Sequence, residues 1–171
     1  RIESRGLGDV YKRQDRKSGR GKKINFSEVK EVALREGIEV LQPESLKTDE
    51  FADTLRKVSP DLLLVVAYGI IVPQQILEIP KYGCINIHAS LLPRWRGASP
   101  MEHAILSGDK RSGITFMKMT EGLDEGPIFE THECSLDADD QLRDLENKLF
   151  NLSKKNLIPF PVSYTHLRAH E

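Results

Sequence analysis

Leu62-Leu63-Leu64-Val65-Val66-Ala67 is apolar at six consecutive positions, and Tyr68-Gly69 closes the run. A strand with one wet face alternates apolar and polar residues, whereas this one does not. It reads as a strand buried on both faces of a parallel sheet. Downstream, Cys84-Ile85-Asn86-Ile87-His88 is a second strand, in which Asn86 and His88 share one face and Ile85 and Ile87 the other. The following Ser90-Leu91-Leu92-Pro93 cannot continue it inside a sheet, because proline has no N–H to give, so a loop begins there.

The flanking segments alternate in type. Ser27 starts a helix with Val29, Val32 and Ala33 on one side and Gly37 as its stop. Residues 38–41 are a short strand, and Thr48 or Asp49 caps a helix that runs to Val58, ahead of Ser59-Pro60. A brief helical piece leads from Pro73 to Pro80. Ser99-Pro100-Met101-Glu102 has the capping-box pattern with proline at the first helical position, and Gly108 follows the last apolar residues. Residues 113–119 and 128–134 are two more strands. Asp137 to Asp140 then form an acidic helix start ahead of a Leu142, Leu145, Leu149 stripe. Strands alternating with helices predict an α/β fold: an open, mostly parallel twisted sheet with helices on both faces. In such sheets ligands bind outside the carboxyl ends of the strands, which is where His88 falls.

Composition narrows the function classes. The chain has 171 residues, one ordinary domain, with 25 Lys+Arg against 26 Asp+Glu, so no global field implies an acidic or nucleic-acid partner. Residues 1–30 are locally basic, with ten Lys/Arg and four Asp/Glu. Within them Asp15-Arg16-Lys17-Ser18-Gly19-Arg20-Gly21-Lys22-Lys23 has the makeup either of a loop that moulds to a phosphate backbone or of a solvated charge run. The two cysteines, Cys84 and Cys134, suggest reduced thiols and a cytoplasmic protein. No apolar run is long enough to span a bilayer, and no signal-peptide or metal-ligand spacing occurs. Residues 1–14 and 162–171 lack a periodicity that fits their neighbours and read as a non-native leader and tail, leaving 15–161 for fold reasoning.

The second half of the candidate site is Thr120-Glu121-Gly122-Leu123-Asp124-Glu125-Gly126-Pro127, a tight irregular turn between two predicted strands. Asn86, His88 and Asp124 together make a metal-free acyl-transfer constellation. An amide and an imidazole can stabilise an oxyanion, and an imidazole and a carboxylate can handle protons. Each also has an ordinary reading: Asn86 as a strand-end hydrogen bonder, His88 as a satisfied core histidine, Asp124 as the former of an Asx turn.

Asn-Ile-His-Ala-Ser-Leu-Leu-Pro-Arg-Trp-Arg-Gly-Ala-Ser-Pro at 86–100 and Gly-Ile-Thr-Phe-Met-Lys-Met-Thr-Glu-Gly-Leu-Asp-Glu-Gly at 113–126 resemble the 10-formyltetrahydrofolate-dependent formyltransferase family. The likeness runs from Asp15 to about Asn151 and includes Leu-Gln-Pro-Glu at 41–44 and Val-Ala-Tyr-Gly at 66–69. It implies a Rossmann-like fold with Asn86, His88 and Asp124 as the catalytic set. It also implies 10-formyltetrahydrofolate as formyl donor, no metal, and a folate-binding loop at Ser90, Leu91, Leu92 and Pro93. The Arg-Gly-Lys-Lys run, and Ala89 where glycinamide ribonucleotide formyltransferases carry proline, point to the branch acting on initiator methionyl-tRNA. Arg20, Lys22 and Lys23 would then contact the tRNA. Glycinamide ribonucleotide, an amino sugar or an inactive folate-binding fragment are the alternatives. The resemblance further implies a monomer, and a catalytic domain truncated at both ends, since family members open with a further strand and the tRNA branch carries a C-terminal β-barrel domain.

Overall fold

The structure, a computed structural model, describes residues 10–11, 16–18, 23–160 and 164. Arg20 and Lys22 lie outside the described residues, and Lys23 is described only as backbone in a strand. The chain divides into two units, Arg1–Pro60 and Asp61–Glu171. In the first, β1 (Val10–Tyr11) pairs in parallel with β4 (Val40–Leu41), while β2 (Arg16–Ser18) and β3 (Lys23–Asn25) form an antiparallel pair. Strand β1 falls within the stretch read as a leader. Helix α1 (Glu28–Arg35) is capped by the Ser27 hydroxyl, which accepts from the Lys30 N–H at 3.2 Å. Thr48 caps α2 (Asp49–Val58), which ends where Ser59 turns left-handed before Pro60. Both caps are those predicted.

The second unit holds a four-stranded sheet in the order β5 (Leu63–Val66), β6 (Cys84–His88), β7 (Arg111–Lys118), β8 (Ile128–Ser135). The α/β class stands, but the sheet is mixed rather than mostly parallel: β5–β6 is parallel, and β6–β7 and β7–β8 are antiparallel. Chain length explains the second of these, since residues 119–127 are too few for a parallel crossover. The first follows from the connection after β6. Its only helix, α4 (Pro100–Leu106), is about 10 Å long, and Arg94 and Trp95 near its start are hydrogen-bonded to Asp109 near its end. The chain therefore re-enters the sheet at the end it left and must run back.

Burial also differs from the reading of 62–67. Leu63 to Val65 are only half-buried and Val66 is 55% exposed, because β5 is an outer strand of this sheet. The strand covered on both faces is β7, where Ser112 to Met117 are all buried. One face of β6 and β7 offers Ile85, Ile87, Ile114 and Phe116 to Leu145 and Leu149 of α5 (Leu142–Asn156), the predicted leucine stripe. Phe160 stacks on Phe116 at 4.3 Å, and Tyr164 packs beyond it, donating its hydroxyl to the Tyr82 carbonyl at 2.8 Å. The opposite face carries Asn86 and His88 beside Met117 and Thr115.

Two helix starts depart from expectation. Ser99 is left-handed (φ 57°), where a capping serine needs an extended backbone, so its side chain makes no cap bond. Asp137 to Asp140 form a turn instead of the first turn of α5, and the capping box is built by Gln141 and Asp144. Among the described residues no helix is long and apolar enough to cross a membrane, and no cluster of His, Cys, Asp and Glu could hold a metal ion.

Candidate active site

Strand alternation puts Asn86 and His88 on one face of β6, and the loop 119–127 brings a carboxylate to them. The loop leaves β7 where the Met119 N–H donates to the Cys84 carbonyl and returns where the Lys118 N–H donates to the Pro127 carbonyl. At its tip Asp124 is left-handed (φ 49°), a conformation aspartate tolerates better than most residues. Asp124 Oδ1 accepts from Asn86 Nδ2 at 3.2 Å, and Oδ2 accepts from the Gly97 N–H at 2.9 Å while lying 3.5 Å from His88 Nδ1. The three predicted residues thus converge from two separated segments. Because a carboxylate only accepts, the contact also fixes which end of the Asn86 amide faces it and leaves a second N–H to point elsewhere.

His88 is 6% exposed, and its Nε2 lies 2.9 Å from the Trp95 carbonyl oxygen. The loop supplying that carbonyl is itself pinned from below. Ser90, wholly buried, donates its hydroxyl to the Arg94 carbonyl at 2.6 Å. Thr115, paired with His88 across the ladder, donates to the Ser90 carbonyl at 2.6 Å and accepts from the Leu92 N–H at 3.1 Å. Of the four residues expected to contact folate, Ser90 and Leu92 therefore face inward as supports. Leu91 is half-buried, Pro93 is exposed, and the Leu92–Pro93 peptide is cis.

A cavity of about 890 Å³ is walled in part by the loop that carries Asp124, though Asn86, His88 and Asp124 do not line it. Leu77, Tyr82, Met119, Lys118, Gly122 and Glu125 are among its lining residues, and Ser90 to Pro93 are not. It opens at the amino end of β6, next to Gly83, rather than at the carboxyl end that the general rule for open sheets favours. The reason is the antiparallel β7: its carboxyl end, from which the loop springs, lies beside the amino end of β6. Trp95, Gly97 and Thr115 were not legible as site residues. Two of them act through backbone groups and the third sits mid-strand, so none has a side-chain signature in the sequence.

This chain, an open mixed α/β sheet with an asparagine, a histidine and a loop aspartate gathered over β6, belongs to the formyl transferase family, which it matches over residues 7–160. Over 158 residues it is 49% identical to the methionyl-tRNA formyltransferase of Legionella pneumophila (strain Paris), which is 92% of this chain and 50% of that relative. The chain spans about half the length of the curated relatives it matches. Among solved structures it is similar to glycinamide ribonucleotide transformylase 1 from Symbiobacterium toebii, with a TM-score of 0.66 and 27% identity over 75% of this chain and 63% of that one. Phosphoribosylglycinamide formyltransferase from Bacillus halodurans shares the fold, with a TM-score of 0.73 at 24% identity over 92% of this chain and 79% of that one.

Proposed function

We propose that this chain carries the formyl-transfer site of an enzyme that moves a formyl group from 10-formyltetrahydrofolate to the amino group of initiator methionyl-tRNA, in the cytoplasm at the start of translation. The observation that carries the reading is the convergence of Asn86, His88 and Asp124. The acceptor is chosen on the relatives named methionyl-tRNA formyltransferase, at 48–49% identity, over those named for glycinamide ribonucleotide at 27%.

The amine nitrogen attacks the formyl carbon, and the carbonyl electron pair moves onto oxygen, where the second N–H of Asn86 meets the developing charge. The amine proton passes to the Asp124 carboxylate, beside His88 Nδ1, which is placed to hold it. Collapse of the intermediate expels the folate nitrogen, which takes a proton back. The 890 Å³ cavity is large enough for a pteridine and its aryl extension and is walled by Met119 to Gly122 and Glu125, neighbours of Asp124 in its loop, which supports it as the place for the donor. The basic run holding Arg20, Lys22 and Lys23 would bind tRNA phosphates as a salt-dependent contact.

The test is a formyl-transfer assay with 10-formyltetrahydrofolate and charged initiator tRNA, with glycinamide ribonucleotide and an amino sugar as competing acceptors. His88→Ala is expected to lower turnover by about 10²–10⁴-fold while folate binding persists. Turnover on a small amine but not on the charged tRNA would overturn the choice of acceptor, and unchanged turnover in His88→Ala would overturn the site.

A further inference from the structure

Both nitrogens of the His88 ring face groups that only accept, but at different distances: the Trp95 carbonyl oxygen is 2.9 Å from Nε2 and Asp124 Oδ2 is 3.5 Å from Nδ1. Of the two, only the Trp95 carbonyl is at a full hydrogen-bond distance, so in the neutral ring the hydrogen sits on Nε2 and Nδ1 is left bare beside Asp124. Everything then depends on where the Trp95 carbonyl points. Trp95 is left-handed (φ 59°), an unfavourable conformation for a bulky residue that persists only when its surroundings hold it.

Three groups supply that hold, and none touches His88. Asp109 Oδ2 accepts from the indole Nε1–H at 2.7 Å. The Arg94 guanidinium sits 4.1 Å from the centre of the indole ring, and the His103 ring stacks on the indole at 5.2 Å with 14° between planes. Arg94 also donates to both oxygens of Asp109, at 2.8 and 2.7 Å, so one carboxylate ties the arginine and the indole together. The Ser90 hydroxyl fixes the backbone one residue earlier, at the Arg94 carbonyl.

We propose that Asp109, at the end of the loop and helix that follow β6, is a positioning residue for the proposed formyl transfer. Through the Trp95 indole it aims the Trp95 carbonyl at His88 and so selects the Nε2–H tautomer. This rests on the formyl-transfer reading for its consequence, but the tautomer itself is a property of the resting protein.

The test uses ¹⁵N-histidine-labelled protein at a pH where the imidazole is neutral, comparing wild type, Asp109→Asn and Trp95→Phe. Trp95→Phe deletes the indole donor and keeps a smaller aromatic ring for Arg94, which covers the case in which Asp109→Asn does not fold. The expected wild-type signal is a single Nε2–H tautomer for His88, giving way to a mixture in both variants. Turnover is expected to fall by about tenfold to a hundredfold with folate affinity within twofold. A single Nε2–H tautomer in every protein would overturn the proposal, as would mixed tautomers with wild-type turnover. Because the spectrum needs no substrate, failure of the acceptor assignment would leave the tautomer result standing.

Discussion

Replacing Thr115 by valine isolates the brace beneath the site. The side chain is fully buried, and its hydroxyl satisfies two backbone groups of the 90–93 loop at once, the Ser90 carbonyl at 2.6 Å and the Leu92 N–H at 3.1 Å. Valine has nearly the same shape but leaves both groups without a partner. Each buried, unsatisfied group costs about 1–3 kcal/mol, and the methyl that replaces the hydroxyl returns about 0.8 kcal/mol by its burial. The net expectation is a loss of about 1–5 kcal/mol, a large share of the 5–15 kcal/mol typical of a domain. Urea unfolding measures it directly, the midpoint falling at constant slope, and the thermal midpoint is expected to drop by roughly 2–20 °C. Thr115→Ser keeps the hydroxyl and loses one methyl, so it should cost only about 1 kcal/mol. If the valine and serine variants were equally destabilised, the hydroxyl bridge would not be what holds the loop.

Two further predictions come from the same sheet. At Gly113 a Cβ would lie 2.1 Å from the His132 carbonyl and 2.7 Å from a Leu91 methyl, so Gly113→Ala is expected to part β7 from β8. The cost should be about 3 kcal/mol, and a melting temperature within two degrees of wild type would contradict that close approach. Burial pushes the Cys84 thiol from 9.0 to about 12. Above pH 9 the unfolded chain gives up this proton and the folded one keeps it, so stability falls as pH rises from about 9 to about 12. The slope approaches 1.4 kcal/mol per pH unit, roughly the value of one shifted site. Cys84→Ser, whose hydroxyl can take over the contact with the Leu77 carbonyl, should lose this part of the alkaline slope in pH-dependent urea melts. An identical slope in wild type and variant would show that Cys84 does not carry it.

Local order was legible wherever a few adjacent residues decide it. The Ser27 and Thr48 caps, the Leu145 and Leu149 face of α5 and the outward pairing of Asn86 with His88 all follow from capping chemistry or from the periods of helix and strand. The three proposed catalytic side chains were readable too, because each is a polar residue that local structure leaves underexplained. The direction of β7 was not readable. Whether a strand runs with or against its neighbour depends on where the connection re-enters the sheet, and the Arg94–Asp109 tie that decides this for β7 joins residues fifteen positions apart. For the same reason 62–67 suggested burial on both faces, whereas the strand that is covered twice is β7, whose serine, glycine and threonine satisfy close backbone contacts.

The amino-acid sequence alone determined which residues lie on which face, and with that the identity of the amide, imidazole and carboxylate that meet. Only the tertiary structure decided how they meet: the Trp95 carbonyl on one side of the imidazole, the Gly97 N–H on the carboxylate, and an 890 Å³ cavity opening at the amino end of β6. Side-chain chemistry is written residue by residue, but a backbone group is the same at every position, and it becomes specific only when distant parts of the chain are folded against it.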